Sequence, residues 1–134
     1  MSYLGDIVED ATIRGSFNTR QANGTPITLV GTPAPALSVY KDAGTTESTA
    51  GVTLTVDFDS RTGHHIFTID TSADAFYVTG SDYRVVITTG TVDSISVVGV
   101  CVGSFSIENR NTKANVTQIS GDATAADNAE AFFD

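Results

Sequence analysis

Between residues 52 and 58 the chain alternates apolar and polar side chains without a break: Val52, Leu54, Val56 and Phe58 fall on one side, Thr53, Thr55 and Asp57 on the other. A repeat of two residues is that of an extended strand with one face buried and the other in water. Helical spacing is almost absent before residue 120, so the periodicity specifies an all-β chain. Residues 59–63 carry turn chemistry, with Gly63 free to take a positive φ. His65, Phe67 and Ile69 then resume an inward face, which predicts a hairpin with the 52–58 run.

The rest of the chain reads in the same way. Residues 12–19 predict a first strand, and Asn23, Gly24, Thr25 and Pro26 a turn before a short strand at 27–30. Pro33 and Pro35 interrupt regular pairing because proline has no N–H to donate, and residues 36–40 predict the next strand. The polar stretch 41–51 reads as a loop. Residues 82–88 predict a strand with Tyr83, Val85 and Ile87 inward, closed by Gly90. The run 94–107 reads as one long strand with a bulge or bend at Gly99 and Gly103. Some seven short strands with frequent turns and no intervening helix predict an antiparallel β-sandwich of immunoglobulin-like or fibronectin-like type, with a small barrel as the alternative.

With 134 residues there is material for one core. Three segments are expected: an N-terminal arm at 1–10, the sandwich at 11–108, and a linker at 109–134 that ends in a short Ala-rich helix. Tyr3, Leu4, Ile7 and Val8 lie outside the strand pattern and are candidate docking residues; Ile119, Phe132 and Phe133 are candidate contacts between copies.

Charge and motif content narrow the chemistry. Seven Lys and Arg against 16 Asp and Glu leave a formal charge of −9, which repels nucleic-acid phosphates and anionic membranes. No basic and apolar leader opens the chain, and no stretch approaches the roughly 18 apolar residues of a membrane span, so synthesis and retention in a cytoplasm are expected. Cys101, the single cysteine, sits between Val100 and Val102 and reads as a small buried residue of a strand. His64 and His65 are adjacent, which sends their side chains to opposite faces of a strand and prevents shared chelation; one packed and one exposed histidine is the expectation. Asp57 and Asp59 share a face of the expected strand, yet they stand among Thr and Ser in a solvated pattern unsuited to acid–base work. Asp70, Asp74 and Asp82 match no calcium-loop spacing. No zinc, phosphate-loop or nucleophile-elbow motif is present, so neither an enzyme nor a cofactor is expected.

Leu4, Gly5 and Asp6, the 17–20 segment Phe-Asn-Thr-Arg, Gly31 to Pro33, Val56 to Asp59, Ile69 to Asp74, Tyr83 to Ile87 and Phe105 to Arg110 together resemble a group of tailed-bacteriophage virion proteins over nearly all of residues 1–110. The segment from Val116 to Asp134 is similar to the one that joins the N-terminal sandwich to distal domains in such appendage proteins. What the resemblance implies is a virion structural protein: a fibre or other appendage attachment module, or alternatively a capsid decoration (cement) protein. It further implies other virion proteins as partners, a homo-oligomer with a trimer as one form, and a place in the virion after synthesis in the host cytoplasm. A glycan-binding adhesin is the third reading; against it, the chain has no Trp, and Tyr3, Tyr40, Tyr77 and Tyr83 are scattered.

Overall fold

The computed structural model describes residues 2–109. Ten strands follow in order: β1 (Ser2–Ile7), β2 (Thr12–Asn18), β3 (Ala36–Lys41), β4 (Glu47–Ser48), β5 (Val52–Thr55), β6 (His64–Asp70), β7 (Ser81–Thr89), β8 (Thr91–Val92), β9 (Ile95–Ser96) and β10 (Cys101–Ile107). A single 3-10 turn, Phe58–Ser60, is the one helical element among the described residues. Five strands pair in the order β1-β10-β7-β3-β4, three in the order β2-β6-β5, and β8 with β9 forms a two-stranded ribbon. All pairings are antiparallel except that of β1 with β10.

Alternation explains which faces meet. On β6, His65, Phe67 and Ile69 are buried; on β7, Tyr83, Val85 and Ile87 are; on β3, Leu37 and Val39 are. Apart from His65, these side chains join Ile13 of β2 and Val102, Phe105 and Ile107 of β10 in one cluster to which both larger sheets contribute. Each such side chain is worth about 1.5–3 kcal/mol when fully buried. Cross-strand pairing sets the stacking inside it: Phe105 lies opposite Tyr83, and their rings stack at 4.9 Å and 14°. Gly15 of β2 faces Phe67 so closely that an added Cβ would stand 2.3 Å from its Cζ.

Tyr83 also spans the turn that precedes its strand. Its hydroxyl accepts the Val78 N–H at 2.7 Å and lies 3.2 Å from the carbonyls of Phe76 and Val78, fixing the 76–78 backbone over the cluster. Beside it, the Tyr77 hydroxyl donates to the Ala50 carbonyl at 2.7 Å, and burial pushes its pKa up to about 12.

Five local expectations are corrected. β5 ends at Thr55 instead of running to residue 58, because Asp57 turns into the left-handed region with φ 52°. Phe58 is thereby swung out to 43% exposure, and Asp57 and Asp59 share no strand face. Residues 27–30 form no strand; Val30 makes an isolated bridge with Thr91. The run 94–107 is divided into β9, a turn at 97–100 and β10, and β10 carries the register break between Cys101 and Gly103. Residues 2–7 lie inside the strand pattern, in parallel register on β10, with the register broken between Tyr3 and Asp6 around Gly5 at φ 111°. The loop at 41–51 contains the two-residue β4. The Ala-rich helix and the 109–134 linker lie outside the described residues apart from Asn109.

Candidate docking end

Register places every strand terminus at one of two ends. At one end lie the loops 19–35 between β2 and β3, 56–63 between β5 and β6, and 90–100 between β7 and β10. The first two are locked together by a buried polar knot. The Asp57 N–H donates to Nδ1 of fully buried His65 at 3.0 Å, so a neutral His65 carries its proton on Nε2 and donates it to Thr19 Oγ1 at 2.7 Å. Thr19 Oγ1 in turn donates to the Ile27 carbonyl. Asp57 Oδ2 accepts from Thr28 Oγ1 at 2.6 Å and Oδ1 accepts from the Gly63 N–H at 2.8 Å, while the Gly63 carbonyl accepts from Thr19 N and Asn18 Nδ2, each at 3.1 Å.

Electrostatics follow from that network. Burial drives the His65 pKa down; the nearby Asp57 carboxylate opposes this, and His64 adds to it. Hydrogen bonds from Thr28 and Gly63 hold the Asp57 carboxyl below the usual carboxylate range. Thr19, His65 and Asp57 stand in the order of a nucleophile–base–acid triad, but the polarity is wrong for one. His65 Nδ1 is engaged as an acceptor and Nε2 as a donor, so no lone pair faces the Thr19 hydroxyl to remove its proton.

The third loop is joined to the first by backbone bonds in both directions, Val30 N to Thr91 O at 3.1 Å and Thr91 N to Val30 O at 2.7 Å. It is itself a hairpin: Val92 pairs with Ile95 across Asp93 and Ser94, whose φ angles of 50° and 64° are the positive pair that a two-residue type I′ turn requires. Gly99 N donates to Ile87 O at 2.8 Å and Ile87 N to Val100 O at 2.9 Å, anchoring the hairpin's return on β7. This braced end exposes Val30 (50%), Ile95 (69%), Val98 (57%) and Val100 (48%), together with Phe58. Isolated exposed aliphatics are ordinary; these four lie on the loops 19–35 and 90–100, which are bonded to each other through Val30 and Thr91. Val100 also lines a cleft of ≈ 440 Å³, with Phe17 and Val102 among its apolar walls and Arg20 and Asn18 among its polar ones.

The opposite end differs in chemistry. Asp6, Glu9, Asp10, Asp42, Asp70, Asp74, Asp82 and Glu108 sit at its strand termini and loops, with Lys41 and Arg84 as their nearby cations. Among the described residues no three His, Cys, Asp or Glu side chains are placed to hold a metal ion, and no helix is long and apolar enough to cross a membrane.

Of the residues proposed from sequence for docking and oligomer contacts, four lie among the described residues. Leu4 and Ile7 are half-buried against the core cluster, whereas Tyr3 (53%) and Val8 (67%) point outward at separate places, with Tyr3 Oη 2.9 Å from Ser106 Oγ. Ile119, Phe132 and Phe133 lie outside the described residues. Of the two histidines, His65 is fully buried and His64 half-buried beside Phe58, 6.1 Å between ring centroids. Cys101 is half-buried. The Val30, Ile95, Val98 and Val100 surface escaped sequence reading because 94–107 reads as one strand; Asp93 and Ser94 between Val92 and Ile95 are the hairpin signal that could have exposed it. No family model, curated protein or solved structure matches this chain.

Proposed function

We propose that this chain is a non-enzymatic structural module of a tailed-bacteriophage virion, an appendage or fibre attachment domain built as an immunoglobulin-like β-sandwich, that makes contact through its braced loop end. The observation that carries the docking reading is that end itself: three loops cross-bonded into one rigid platform that presents Val30, Ile95, Val98 and Val100 to solvent. A platform ordered before binding loses little conformational freedom on association.

Two features support the sandwich assignment. The order β2-β6-β5 against β10-β7-β3-β4 corresponds to the B-E-D and G-F-C-C′ sheets of immunoglobulin domains, and Tyr83, at the start of β7 and bonded back to residues 76–78, corresponds to their tyrosine corner. In that frame the loops 19–35 and 90–100 occupy the places of B–C and F–G loops, which form binding surfaces in variable domains. The virion setting rests on the resemblance over residues 1–110, and the engagement of both His65 ring nitrogens, Nδ1 as acceptor and Nε2 as donor, supports the non-enzymatic reading.

The test is incorporation into particles. Phage lacking the endogenous protein are complemented with the wild-type chain or with the Ile95→Asp/Val98→Asp double variant, and purified particles are immunoblotted. Wild-type chain on the particles and loss of the variant, with its thermal midpoint unchanged, are expected. Equal incorporation of both would remove the loop end from docking; wild-type chain missing from the particles would remove the virion setting.

A further inference from the structure

We infer that His65 is a proton-operated latch on the 56–63 loop: the neutral ring holds the loop through the Asp57 N–H, and the protonated ring releases that N–H and takes the Asp57 carboxylate in its place. The inference is independent of the docking reading and stands on the geometry around the two ring nitrogens. Nε2 carries a proton in both charge states, so its bond to Thr19 Oγ1 at 2.7 Å survives protonation. Nδ1 is different. It accepts the Asp57 N–H at 3.0 Å and can do so only without a proton, yet Asp57 Oδ1 stands 3.9 Å away, just beyond hydrogen-bond reach. One residue thus offers the same nitrogen a donor for its neutral form and an acceptor for its charged form, and a small shift of the backbone at Asp57 exchanges them.

The loop has cause to make that shift. Asp57, Asp59 and Ser60 have φ angles of 52°, 56° and 58°, a conformation that non-glycine residues keep where surrounding bonds impose it. The bond from the Asp57 N–H to Nδ1 is one such restraint, at the first of the three. The ionisable groups that bear on the ring are Asp57 from the loop and His64 from β6; β2 contributes the uncharged Phe17 ring at 5.1 Å, and the 19–35 loop the Thr19 hydroxyl. Thr28 and Gly63 hold the Asp57 carboxyl below the usual carboxylate range, so the new acceptor is charged when the ring takes up its proton. Burial, aided by His64 and opposed by Asp57, works against the charged ring, which sets the opening below pH 6.5. Acid therefore frees the Asp57 backbone from β6 and leaves the 19–35 loop bound there through Thr19.

An NMR titration of the purified full chain from pH 7.5 to 4.5 tests the latch. At pH 7.5 the ring nitrogen shifts of His65 should report a proton on Nε2 alone. As Nδ1 gains its proton, the amide signals of Asp57, Asp59 and Ser60 should move with the same midpoint, and protection of the Asp57 amide against exchange should fall about tenfold or more, while the amides of Phe67 and Val85 in the paired strands stay protected. His65→Gln, which offers a carbonyl and an amide N–H but no titrating group, should abolish the movement; Asp57→Asn, which removes the charged acceptor, should displace the ring midpoint to lower pH. A proton on Nδ1 at pH 7.5, a ring titration that leaves residues 57–60 unmoved, loss of protection at Phe67 and Val85 in step with Asp57, unfolding before the ring titrates, or an Asp57→Asn midpoint that stays or rises would overturn the inference.

Discussion

His65 shows how much of this domain hangs on single polar side chains. It is fully buried, and each ring nitrogen has a partner only while the ring is neutral. Burial penalises its charged form, and protonation would also set an N–H on Nδ1 against the Asp57 N–H; its folded pKa lies below the ordinary 6.5 of the unfolded chain. Such a group binds more protons unfolded than folded, so its stabilising contribution is complete above pH 6.5 and is lost as pH falls from there toward the folded value. A decline in thermal midpoint between pH 7 and pH 5 is therefore expected, and His65→Leu should flatten it. That substitution also leaves the Asp57 N–H without its acceptor, at a cost of about 1–3 kcal/mol in urea denaturation at pH 7.5. Asp57 acts in a lower window: its depressed pKa stabilises above 3.8 and the contribution is lost below it.

At the scale of elements, the strands with clean alternation were legible and those shaped by long-range bonds were not. β2, β3, β6 and β7 fall where periodicity places them, because each buries one face whatever its neighbours do. β5 was overestimated by three residues: Val56 and Phe58 continue the alternation, but Asp57 leaves the strand to reach Thr28 and Gly63, partners distant in sequence. β1 was missed for a related reason. Its register is broken around Gly5 and its side chains are at most half-buried, so no period of two is imprinted on residues 2–7. The loop end was the least legible part, since its exposed valines look in sequence like those of a core strand. The Tyr83 turn supplies the prediction at this scale. Tyr83→Phe keeps the ring stacked on Phe105 but removes the acceptor of the Val78 N–H, which should cost about 1–3 kcal/mol and speed amide exchange at Val78 selectively.

The two ends of the molecule differ, with four exposed aliphatics on the loops of one and eight carboxylates at the other. Crowded like charges destabilise the compact state and are screened when salt approaches a Debye length of about 10 Å at 0.1 M. The thermal midpoint should therefore rise from very low to moderate NaCl. Asp42→Asn/Asp10→Asn should shrink that rise, as differential scanning fluorimetry can register; an unchanged salt dependence would mean that the acidic end is not under strain. The parallel pairing of β1 with β10 has a practical corollary. Ser2 sits opposite Gly103 and lines the cleft shared with Val100 and Arg20, whereas Asn109 follows Ile107 at the acidic end. A tether attached at Ser2 would hold the loops against a biosensor support, and one attached at Asn109 would turn them toward the analyte, so the choice of tether position sets which half of this protein an immobilised assay can see.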